Sequence, residues 1–237
     1  MQAPPASDTI RVWDLPTRLF HWSLVACIAA ACVSAHRDGE AALRLHFLSG
    51  YAVLALVGFR LLWGFAGPRY ARFAQFVRGP VATLRYAAGL LHARRGSAYP
   101  GYPGHNPLGA VSVLALLALC AVQAGSGLFA NDEIASEGPL AHFVSAAAVA
   151  RSGAIHSWGE TAIYALVALH VVAIAFYRLA KGEDLLRAMI TGTKPAGPGA
   201  PDAQAPEPVE DGAPVRLRAA LLLGLAVALV GYVVNLG

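Results

Sequence analysis

Five apolar runs, each long enough to cross a bilayer, constrain this chain more than any other feature; they cover residues 15–35, 45–65, 108–129, 155–177 and 219–236. A helical span needs roughly 20 mostly apolar residues. Lipid offers the backbone no hydrogen-bonding partner, so such a run must satisfy itself as helix. Of the 237 residues, 57% are hydrophobic and only 14% charged, against about a quarter charged in an ordinary soluble domain. The expected fold is an all-α integral membrane protein, a four-helix transmembrane bundle followed by a fifth C-terminal transmembrane helix. Residues 1–194 would form the four-helix membrane domain, 195–218 a flexible linker rich in Pro, Ala and Gly, and 219–237 the last helix.

The first span carries its own start signal: Asp14 is a plausible N-cap, and Pro16 suits the first helical turn, where a missing N–H costs nothing. Val33-Ser34-Ala35 at its end resembles a leader-cleavage site, but Trp13, Phe20, His21 and Trp22 make the run too aromatic and too long for a secretory leader, so a retained span is expected. Between spans two and three lie Arg69, Arg72, Arg78, Arg85, Arg94 and Arg95 with no acid among them, whereas Asp132, Glu133 and Glu137 follow span three. Basic loops stay cytoplasmic, which places the N-terminus inside. Within the basic loop, residues 80–95 mix Leu84, Tyr86, Leu90 and Leu91 with arginines, as an interfacial amphipathic helix does; anionic lipid, a partner or a quinone headgroup would each suit it. Cys27, Cys32 and Cys120 sit in apolar runs outside any C-x-x-C-H or C-x-x-C motif and read as packing residues.

Histidines inside a span are costly and mark function. His156 and His170 share the fourth span at a separation of fourteen residues, which is ~21 Å of helix and returns to within roughly 40° of one face. One helix can therefore present an imidazole toward each side of the membrane. With the N-terminus inside, His46 at the outer start of span two is level with His156, and His21 near the inner end of span one is level with His170. A haem iron with two axial positions is the simplest ligand for each pair, giving two non-covalent b haems with bis-histidine iron. Arg60 lies fourteen residues after His46 and would share its face; a haem propionate or the cytoplasmic headgroups would each satisfy its charge. Gly50, Gly58, Gly109, Gly125 and Gly127 suit either close porphyrin approach or plain helix packing. His36 is the main competitor for the outer site, His105 is a candidate to line a quinone pocket, and His92 and His142 fall in loops or interfacial segments.

These residues resemble the bacterial cytochrome b561 and nickel-iron hydrogenase cytochrome b family. The resemblance covers residues 11–194 and rests on the run from Trp13 to Trp22, His46 with Gly50-Tyr51, Arg60 with Trp63-Gly64, and Ala71-Arg72-Phe73. Gly104-His105-Asn106-Pro107, His156 with His170, and Ala188-Met189-Ile190-Thr191-Gly192 complete it. It implies a four-helix bundle in the bacterial inner (plasma) membrane, with two b haems moving electrons between a partner protein and the quinone pool, and its ligand pattern falls on His21, His46, His156 and His170. Two features depart from the family pattern. Many relatives carry Glu directly after the first ligand of span four, where this chain has Ser157 and, three residues on, Glu160; the fifth span is also extra.

The expected function is electron transfer as a subunit of a respiratory oxidoreductase, with a hydrogenase, a c-type cytochrome or a dehydrogenase as redox partner and lipid around it. Bis-histidine iron has no open position for oxygen or peroxide chemistry. The alternatives are a stand-alone haem oxidoreductase passing electrons from a small reductant such as superoxide to quinone, and a metal transporter. No H-E-x-x-H, Walker or dinucleotide-binding signature is present, and neither nucleotides nor nucleic acid are expected as ligands.

Overall fold

The computed structural model of the chain describes residues 9–92, 102–131, 137–195 and 209–237. Arg94, Arg95, Asp132, Glu133, Asp202 and Glu207, most of the 195–214 stretch, and the side chains of Leu91 and His92 lie outside the described residues. In chain order the elements are β1 (Thr9–Arg11), α1 (Leu15–Ala35), α2 (Glu40–Ala66), α3 (Phe73–Phe76), α4 (Pro80–His92), α5 (Pro107–Gly127), α6 (Ala146–Phe176), α7 (Leu185–Thr191), β2 (Thr193–Pro195) and α8 (Ala213–Val234). Short 3₁₀ turns precede α3 and α6, and a π-helical turn, Tyr177–Lys181, continues α6.

Among the described residues five helices are long and apolar enough to cross a membrane: α1, α2, α5, α6 with its π turn, and α8. Their apolar surface turns outward as well as inward. Leu169, Val171 and Val172 of α6 and Leu221, Leu225 and Leu229 of α8 are all more than half exposed. A helix that is hydrophobic all round belongs in lipid, where this surface meets acyl chains. The chain is a multi-pass, all-α membrane protein.

Three helices start earlier than the apolar runs: α2 at Glu40 and not at 45, α6 at Ala146 and not at 155, and α8 at Ala213 and not at 219. Hydropathy marks only the apolar core of a helix, whereas Arg44, Arg151, Arg216 and Arg218 sit in turns from which long side chains reach polar surroundings. As a consequence His156, expected to open its span, lies well inside α6.

The chain divides into two compact units. The first comprises Met1–Arg18, Trp63–Val113 and Leu169–Leu217. In it, β1 pairs antiparallel with β2, Ile10 opposite Lys194. The Val12 and Trp13 N–H groups donate to Gly192 O at 2.8 and 3.1 Å. Gly192 has φ +85°, the left-handed conformation that ends α7 and that a Cβ would strain. Asp14 caps α1 as the sequence suggests, accepting from the Thr17 N–H and hydroxyl, both at 2.8 Å. The fully buried Trp63 indole of α2 donates to Asp14 Oδ1 and Thr17 Oγ1, each at 3.2 Å. Burial pushes the Asp14 carboxyl above its ordinary value, against the opposing pull of these hydrogen bonds. Asp211, just before α8, accepts from the Leu15 N–H at 3.1 Å and from Arg11 at 3.0 Å. Val209 N–H donates to Arg11 O at 2.9 Å, so the stretch leading into α8 is tied to the N-terminal strand.

The second unit comprises Leu19–Leu62, Leu114–Ala168 and Arg218–Gly237. Within it α8 packs on α2 where a Cβ at Gly58 would stand 3.6 Å from Ala226. In the first unit, Asn106 and Pro107, at N-cap and first-turn positions, start α5, the Asn106 side chain accepting from the Gly109 N–H at 2.7 Å.

Candidate functional site

The second unit holds a cavity of about 700 Å³, within the range of roughly 300–1,000 Å³ typical of small-molecule and cofactor pockets. Its walls are largely apolar, with Ile28 and Ala31 from α1, Gly50 and Val53 from α2, Cys120 from α5 and Ile163 from α6. The turn joining α1 to α2 adds Arg37, Asp38 and Gly39. Two imidazoles enter this apolar space: His46 from α2 and His156 from α6.

Their ring centroids are 6.0 Å apart and their planes are nearly perpendicular, at 81°. Each ring spends one nitrogen on a backbone carbonyl of a different neighbouring helix. His46 Nδ1 donates to Ala31 O of α1 at 3.0 Å, and His156 Nδ1 donates to Gln123 O of α5 at 2.9 Å. A carbonyl can only accept, so each Nδ1 carries a proton, and in the neutral tautomer this leaves the lone pair on Nε2. Metal-ligating histidines are oriented in this way, the second nitrogen fixing tautomer and ring plane. Metals bind imidazole nitrogen at about 2.0–2.1 Å, and a single ion between two rings therefore sets their centres roughly 6 Å apart. Two imidazoles entering a largely apolar cavity are a donor set that fits a haem iron; Asp38, Glu40, Glu160, Cys32 and Cys120 line the same cavity. Among the described residues no cluster of three or more His, Cys, Asp or Glu is arranged to hold a metal by itself.

The family model for prokaryotic cytochrome b561 matches residues 12–192. The chain belongs to the prokaryotic cytochrome b561 family. It is accordingly a membrane b-type cytochrome of electron transfer, an all-α bundle that binds b haem. No curated protein matches the chain. The limits of the match, Val12 and Gly192, are the two residues whose backbones are hydrogen-bonded to each other in the first unit.

The other predicted residues of this cytochrome b561 family member are distributed between the units. His21, on α1 in the second unit, is half-buried with its ring edge-on to Trp22 at 5.0 Å. His170, also half-buried, belongs to the first unit. Arg60 of α2 is only 2% exposed, so protein encloses its guanidinium. His36, the competitor for the outer site, pairs with Glu160, itself a cavity-lining residue: its Nε2 lies 2.9 Å from Glu160 Oε1 and 3.4 Å from the Tyr164 hydroxyl. The same carboxylate oxygen accepts from Tyr164 at 2.7 Å. His105 lies between Trp13 and Phe76, its ring centre 4.6 Å from each and its plane tilted by 57° and 45°, inside the first unit.

Several contacts were not foreseen. Gln123, Ser126 and Gly127 form one face of the last turn of α5 against His156, at the i, i+3, i+4 spacing that puts side chains together. Ser126 Oγ lies 3.4 Å from His156 Nδ1, and a Cβ on Gly127 would stand 3.0 Å from His156 Cε1. Gly127 thus makes room for the imidazole, and Gly58 serves helix packing, whereas Gly50 faces open cavity with nothing within 4 Å of its Cβ position. The signal in the sequence was the polar pair Gln123 and Ser126 closing an otherwise apolar span, since polar groups in a membrane helix need partners.

Proposed function

We propose that this chain conducts electrons across the bacterial inner membrane through two bis-histidine b haems, between a redox partner protein and the quinone pool. His46 and His156 hold one haem; His21 and His170 hold the other. The facing imidazoles of His46 and His156, each locked through Nδ1 to a neighbouring helix, carry the reading. The second pair is supported by the fourteen-residue spacing of His156 and His170 and by the family resemblance.

A bis-histidine haem supplies a one-electron couple with no open iron position. The chain's own residues set the conditions for that couple. The carbonyls of Ala31 and Gln123 fix the rings and raise their basicity. Ile28, Val53 and Ile163 exclude water, which lowers the local dielectric and tunes the potential. Arg60, buried and cationic, neutralises a haem propionate. By the distribution of arginines the N-terminus is cytoplasmic, so the His46–His156 site is the outer one and the His21–His170 site the inner one. Residues 1–194 carry both haems, and 219–237 form an appended span.

The pairing is tested by haem counting and redox titration of four variants. His46→Ala and His156→Ala should each remove one and the same spectral component, and His21→Ala and His170→Ala the other. A full haem complement in any of the four contradicts the assignment.

A further inference from the structure

Gln123 touches His156 twice, in opposite directions. Its backbone carbonyl accepts from the ring Nδ1–H at 2.9 Å, and its side-chain Nε2 donates to the backbone carbonyl of His156 at 3.0 Å. The reverse orientation of that amide would set two oxygens against each other, so the donor is Nε2. The side-chain oxygen Oε1 is buried and, among the described residues, has no hydrogen-bond partner. It sits against Gly159, one turn of α6 beyond His156, where any Cβ would collide with it. A glycine notch and an unsatisfied amide oxygen are both retained to keep this side chain in place. Simple packing of α5 on α6 would need neither.

We propose that Gln123 is a positioning residue for the outer haem: its two-point clasp fixes the backbone and the ring of His156 together, and so sets the ligand strength of that imidazole. This deepens the proposed function and rests on His156 being an axial ligand. A firm Nδ1–H···O bond makes an imidazole a stronger electron donor and favours the oxidised iron. Loosening the clasp weakens that bond and raises the potential. Gly159 acts through Gln123, since filling the notch expels the amide with no change at residue 123.

The test compares purified haem-loaded wild type with Gln123→Leu and Gly159→Ala, by redox titration, low-temperature electron paramagnetic resonance and haem count. Both variants should retain both haems. One low-spin signal should shift its g values, and one potentiometric step should move upward on the order of tenfold in the reduced-to-oxidised ratio, about 59 mV for a one-electron couple. The other haem should be unchanged. Unaltered potentials and g values in both variants, with both haems bound, would overturn the proposal and reduce the clasp to helix packing. Failure of the underlying reading looks different: His156→Ala would then keep both haems.

Discussion

The His46–His156 pair and the Asp14–Thr17–Trp63 cluster are both buried polar groups in an apolar protein, yet they are built on opposite principles. Around Asp14 the groups satisfy one another: the carboxylate takes the Thr17 N–H, the Thr17 hydroxyl and the Trp63 indole. In the other cluster each histidine gives one nitrogen to a backbone carbonyl and leaves the second toward a cavity. A self-satisfied cluster is a device of the fold, because a buried polar group left unpaired costs about 1–3 kcal/mol. A cluster that withholds lone pairs is half of a binding site. Polarity inside a membrane helix is therefore not a sufficient mark of function. What separates the two regions is whether the hydrogen-bonding capacity is used up.

Four substitutions break or sharpen that contrast. The largest effect is expected from Gly50→Phe, which places a ring in the cavity from a position with open space around it. Haem per polypeptide should fall by one, with helix content by circular dichroism retained. Next, Asp14→Ala removes an N-cap and the acceptor of two hydrogen bonds from Thr17 and one from Trp63; it should cost at least the ~1–2 kcal/mol of a lost cap. Thermal unfolding in detergent should register that loss while the haem spectrum of the folded protein stays as in wild type. Gly127→Ala is smaller: its methyl would meet His156 Cε1 at 3.0 Å, so a few tenths of an ångström of ring displacement should change the g values of one haem with no haem lost. The smallest effect belongs to His36→Ala. Its exposed pairing with Glu160 is of the kind worth about 0.2–1 kcal/mol, and both haems should remain; loss of one would make His36 a ligand after all.

The helices and the places of the histidines along them were legible because the signals are local. Apolar length marks a span, a fourteen-residue interval returns to one face, and Asp14 before Leu15-Pro16 announces a cap. The helix starts at Glu40, Ala146 and Ala213 were not legible, since hydropathy is blind to helical turns that carry Arg44, Arg151 or Arg216. Neighbour relations were hidden for a different reason. Helices that are apolar all round carry no preferred face, so the sequence marks Gln123 as a polar group in need of a partner without naming His156, and does not say that Trp63 meets Asp14. Gly127 illustrates the same gap: the sequence offers a small residue, and only the packing shows that an imidazole occupies the space.

The most direct measurement is a reduced-minus-oxidised optical spectrum of the detergent-purified chain, with haem counted per polypeptide. Two low-spin b haems per chain are predicted. A preparation that folds without haem, or binds metal with no haem spectrum, contradicts the reading of His46 and His156 as a haem site.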